Sequence, residues 1–99
     1  LSRSLRCNSG GPEVPIISRF FGIIIRMFFN EHAPPHFHAE YAESRAVINI
    51  RTLEVIDGRL PRRALELVLD WAELHQDELL KDWDLCQQHQ QPADIAPLQ

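Results

Sequence analysis

His32-Ala33-Pro34-Pro35-His36-Phe37-His38-Ala39 is the stretch on which the reading of the chain turns, and it holds three of the five histidines. The two proline rings fix φ and keep the residues before them out of the helical region, so the chain enters His36 extended. From there polar and apolar residues alternate. Phe37, Ala39 and Tyr41 take one side, while His36, His38 and Glu40 take the other. Period two is the signature of a strand with one buried face. Two imidazoles and a carboxylate then share the other face, with His32 placed to approach from the preceding loop.

Outward from this block the strand pattern continues in both directions. Upstream, Ile16–Phe20 reads as a short strand, a turn falls near Phe21-Gly22, and residues 23–29 form a second strand rich in β-branched and aromatic residues. Its Ile23, Ile25, Met27 and Phe29 share one face; Ile24, Arg26 and Phe28 share the other. Downstream, His36–Tyr41 pairs through a turn at Ala42-Glu43-Ser44 with a strand over residues 45–51. In that arm Ala46, Ile48 and Ile50 face inward, leaving Arg45, Val47, Asn49 and Arg51 outside. A short strand over residues 53–56 is expected to end in a turn at Asp57-Gly58.

Pro61 opens a helix, where its missing N–H costs nothing. Leu65, Val68, Leu69 and Ala72 form an apolar stripe, with Glu66, Asp70, Glu73 and Asp77 opposite. The pattern runs on through Leu79, Leu80, Trp83 and Cys86 as one long helix or two. Asp77 and Glu78 suit a second N-terminus, so a break is expected near His75-Gln76. Strands followed by helices predict an α+β domain over residues 13–90: an antiparallel sheet of four to five strands, helices on its Phe37/Ala39/Ile48/Ile50 side. One core is expected from Phe37, Ile48, Ile50, Leu65, Val68, Leu69 and Ala72. Residues 91–99 read as an irregular tail, and residues 1–12 as a disordered extension, an upstream mis-start or a cloning remnant.

Composition narrows the function classes. A chain of 99 residues supports one modest core. The longest apolar run, residues 20–29, is broken by Gly22 and Arg26 and is too short to span a bilayer, which takes about 20 residues. With no basic-then-apolar leader in the sequence, a cytoplasmic protein with no membrane partner is expected. Cys7 and Cys86 form no C-x-x-C pair, which argues against a disulfide framework and a cysteine zinc site. Charge is uneven: residues 13–63 carry a balance of +1 and residues 64–99 a balance of −7. The acidic third repels nucleic acid and suits a basic protein partner, unless it is simply a solvated helix face.

Glu31-His32-Ala33-Pro34-Pro35-His36-Phe37-His38-Ala39 resembles the D/E-H-x-P-P-H-F-H-A signature of a bacterial family of small proteins, the domain of unknown function 4160. Ile17-Ser18-Arg19-Phe20-Phe21-Gly22-Ile23, Leu60-Pro61-Arg62-Arg63-Ala64-Leu65, Trp71-Ala72-x-x-His75 and Trp83 agree with it, so the resemblance covers about residues 13–98. It implies a cytoplasmic bacterial protein with a small protein partner encoded nearby, in a toxin–antitoxin-like pair. It brings no catalytic residues. Glu31 stands where Asp is the more usual choice.

Three chemistries stay open for the block. His36 and His38, with His32 or Glu40 as third ligand, would make an open catalytic-type site for a divalent transition metal such as zinc, nickel, iron(II) or copper. Without metal, His36 and His38 would be acid and base of an endoribonuclease-like toxin, with Arg26, Arg45 or Arg51 stabilising charge on an RNA phosphate. The chain would otherwise be a protein-interaction component, its Arg45, Asn49 and Arg51 face and an exposed edge strand meeting a partner. Against each stands a plainer role: histidines hydrogen-bonded to the loop backbone, arginines solvating a face. For metal the imidazoles must converge on one point; for phosphate chemistry an arginine should stand between them.

Overall fold

The computed structural model describes residues 15–99; the reading of residues 1–12 lies outside them. Five strands form one antiparallel sheet in chain order: β1 (Ile16–Phe20), β2 (Ile23–Arg26), β3 (His36–Tyr41), β4 (Ser44–Asn49) and β5 (Val55–Arg59). Helices α1 (Arg62–Leu74) and α2 (Gln76–Gln87) follow, giving an α+β fold. The break falls at His75, whose ring bonds Glu78, while Asp77 and Glu78 supply the negative charge that favours the start of α2. Among the described residues no helix is long and apolar enough to cross a membrane.

The β1–β2 turn uses Phe21 and Gly22, both at positive φ (49° and 80°), the backbone of a two-residue hairpin loop whose twist matches the strands. The β3–β4 loop is equally short, with Ala42 at positive φ. The facing of β3 follows period two: Phe37 and Ala39 are fully buried against the helices. Its core includes Ile23, Ile25, Met27, Ile48, Ile50, Val68 and Ala72. Trp71 is its keystone, its ring against Phe20 at 5.3 Å and edge-on to Phe37 at 5.8 Å.

Four boundaries or facings differ from the sequence reading. β2 stops at Arg26, three residues early, and Phe28 turns onto His38. β4 stops at Asn49, whose side-chain oxygen accepts the N–H groups of Arg51 (2.8 Å) and Thr52 (3.1 Å) and bends the chain. Asp57-Gly58 is no turn; it lies within β5, where Gly58 presses its backbone on that of Arg45. The α1 stripe is rotated: Ala64, Val68, Trp71 and Ala72 are buried, and Leu65 and Leu69 only partly, because the indole sets which face meets the sheet.

Residues 88–99 hold no helix or strand, yet they are packed on the body. Ile95 N–H donates to the Ile17 carbonyl (2.8 Å) on the outer edge of β1, and the Trp71 indole donates to the Ala96 carbonyl (2.8 Å). Asp82, 2% exposed, accepts the Ala93 N–H (2.9 Å), while its second oxygen has no partner among the described residues. Burial pushes this carboxyl up to about 6; the Ala93 N–H pulls it back, Glu78 and Asp94 push further, and Lys81 offsets them. Folding therefore takes up protons between the ordinary value of 3.8 and about 6, and stability falls as pH rises through that window. The expected loss is about 3 kcal/mol. Urea titrations between pH 4 and 7 should show it in the native chain and not in Asp82→Asn.

Candidate functional site

The site forms where β3 leaves the Pro34-Pro35 bend. Period two sends the rings of His36 and His38 to one face. Loop residues 27–35 return across that face, held to the end of α2 by Asn30 N–H donating to the Cys86 carbonyl (3.2 Å). This tether puts Glu31 over the two rings. Its Oε1 lies 2.8 Å from Nε2 of His36 and 2.8 Å from Nε2 of His38. One ligand atom from each of the three falls within 4.8 Å of the others, and none of the three is open to solvent on all sides.

The two rings are held from behind as well. His36 Nδ1 lies 2.7 Å from the Pro34 carbonyl, and a carbonyl only accepts, so Nδ1 carries the proton there. That fixes the ring and aims Nε2 at Glu31. Trp83 of α2 packs against the His36 ring (5.0 Å between centroids) and Phe28 against His38 (4.1 Å). Burial alone would push the Glu31 carboxyl up, but the hydrogen bonds and charges of His38, then of His36, outweigh it and hold the carboxyl below the ordinary glutamate range. Glu31 is thus a carboxylate at neutral pH, facing two nitrogens.

Tetrahedral ligands at zinc distances, about 2.0–2.1 Å, stand roughly 3.3 Å apart. The 2.8 Å contacts are tighter, as suits a proton shared between carboxylate and imidazole. Opening by about half an ångström would exchange those protons for an ion. The donor set, two imidazoles and one carboxylate with the remaining positions open, suits zinc or iron(II).

The other sequence candidates take different places. His32 is exposed in the loop and is not in the cluster. Glu40 turns to Arg26, whose Nε donates to its Oε2 at 3.1 Å. Arg45 and Arg51 are exposed, and Asn49 is spent on its own turn. Between the two rings, where phosphate chemistry asked for arginine, stands the Glu31 carboxylate. Glu31 itself lay in the quoted block but was not among the candidate ligands, since alternation places strand residues and says nothing of where a loop residue folds back.

A family model described as "Domain of unknown function (DUF4160)" matches residues 22–84, from the first hairpin turn into α2. No curated protein and no solved structure matches the chain.

Proposed function

The chain belongs to the DUF4160 family, a domain of unknown function, and from that premise we propose that it is a divalent-metal-binding protein whose ion is held by Glu31, His36 and His38. The observation that carries this reading is the convergence of three ligand atoms within 4.8 Å, with His36 Nδ1 committed to the Pro34 carbonyl. A histidine that donates one ring N–H to a carbonyl presents the other nitrogen as a ligand in a fixed orientation. Open positions on the ion would make the site competent for Lewis-acid or activated-water chemistry.

The test is elemental analysis and cobalt(II) or zinc titration of protein purified without a polyhistidine tag. One ion per chain is expected. His36→Ala/His38→Ala and Glu31→Gln should each weaken it by ~100-fold or more, with folding checked by circular dichroism. Since the ion displaces protons, affinity should rise with pH. Undiminished binding in both variants, or no binding in the native chain, would overturn the proposal.

A second reading is favoured by one observation. All five residues of β5 are exposed, Val55 and Ile56 among them, and among the described residues no strand pairs with its outer edge. Such an edge suits strand addition by a small protein partner, as in the toxin–antitoxin-like arrangement. A partner held that way is lost when Gly58→Ala unseats β5.

A further inference from the structure

Beside the metal-ligand cluster, a small cavity of about 80 Å³ opens on the polar face of the sheet, lined by Phe28, His38, Glu40, Arg45, Val47 and Asp57 among others. One wall is a proposed metal ligand. Another is the Arg45 guanidinium. Glu40 sits between Ile24 and Arg45, yet its oxygen goes to Arg26, and among the described residues Arg45 has no ion pair. Arg45 is also directly opposite Arg59 on β5. Like charges facing each other across strands destabilise a sheet, and among the described residues neither arginine makes an ion pair. The arrangement costs the fold something and sets Arg59 opposite Arg45, which lines the cavity.

From this we infer that Arg45, supported by Arg59, is the recognition site for a phosphoryl group on a small-molecule ligand that reaches the metal at its other end. This deepens the metal reading and rests on it. His38 pairs with Val47, and Arg45 lies two residues further along β4, a diagonal neighbour at about 7–8 Å. An arginine side chain spans such a gap, so one ligand can touch ion and guanidinium together. Charge selects the dianion. Arg26, Arg45 and Arg59 against Glu40 and Asp57 leave one positive charge, and a divalent ion against Glu31 leaves another. A phosphoryl group carries roughly −1.5 to −2 at neutral pH, and arginine's planar fork pairs with it in bidentate fashion. A cavity of this size has room for the phosphoryl head and the atoms next to it, which Phe28 and Val47 would meet.

The test is calorimetric titration of inorganic phosphate, with acetate in parallel, into the full chain, with and without cobalt(II). Phosphate should bind at least tenfold more tightly than acetate. Arg45→Gln should weaken phosphate about tenfold and Arg59→Gln several-fold, whereas Arg45→Lys should restore part of the loss. Asp57→Asn should tighten it, because it removes the opposing charge. All three positions are exposed, so the variants are expected to stay folded, with melting temperatures at the native value or slightly above it where a like charge is removed. Phosphate affinity within twofold of native in Arg45→Gln would overturn the inference, and so would weaker binding in Asp57→Asn, the mark of a cation site. If cobalt(II) fails to bind but Arg45→Gln still weakens phosphate, the metal reading falls and the anion site stands. If cobalt(II) binds and phosphate is lost only in Glu31→Gln, phosphate rides on the ion alone and the anion site falls.

Discussion

Phe37→Ala will lower the unfolding free energy by about 3–5 kcal/mol, a large share of the 5–15 kcal/mol that holds small domains together. Phe37 is fully buried, and its ring stands edge-on to Trp71 at 5.8 Å, so truncation opens a void between sheet and α1 that neither layer can fill. The same residue lies between His36 and His38 on β3, the two histidines proposed as ligands. Its loss should therefore loosen the site as well as the core, with metal affinity dropping even where the variant remains folded. Guanidinium unfolding is the measurement: the midpoint should move while the slope stays. Phe37→Leu, which keeps most of the volume, should cost far less. A loss below about 1 kcal/mol for the alanine variant would mean that the sheet and helices do not share this contact.

Gly58→Ala will be nearly as damaging, at roughly 2–5 kcal/mol, although every residue of β5 is exposed. Ordinary surface substitutions stay within about 0.5 kcal/mol, so the prediction is sharp. Gly58 has φ +71°, and a Cβ there would lie 2.3 Å from the Arg45 carbonyl oxygen and 3.2 Å from Ala46 Cα. Both are backbone atoms of β4 and cannot swing aside. The strand must lift away, taking Asp57 and Arg59 with it. Denaturant unfolding combined with amide exchange across β4 and β5 would show this; a neutral result would remove the close approach of the two strands.

Much of this architecture is legible before any coordinates. Alternation through Phe37, His38 and Ala39 gives the sheet face, and the change to helical spacing after Pro61 gives the second layer. What escapes has a common physical origin. Glu31 is brought to the histidines by a tether from Asn30 to Cys86, a contact between loop and α2 that no local pattern encodes. Asp57-Gly58 looks like a turn because the pair is compatible with positive φ. Here that freedom serves a close strand contact, and the turn is built further upstream around Asn49. The α1 stripe is misjudged by a rotation because aliphatic spacing alone does not weigh the bulk of Trp71, which claims the centre of the interface. The acid of the cluster was nonetheless present in the motif as its first letter. Its role becomes visible only once the loop is seen to fold back.

The hydrogen bond from Ile95 to Ile17 has a bearing on how copies of this protein can assemble. Endless strand-to-strand growth requires two free edges on every copy, one to receive and one to offer. Here the chain's own tail lies on the β1 edge at Ile17, so among the described residues β5 is the open one. Association through β5 would use up the one edge that is open among the described residues and would halt at a pair. Removing the residues beyond Pro92 would uncover the second edge, changing a self-limiting surface into one that can propagate, with filaments or precipitate in place of discrete complexes.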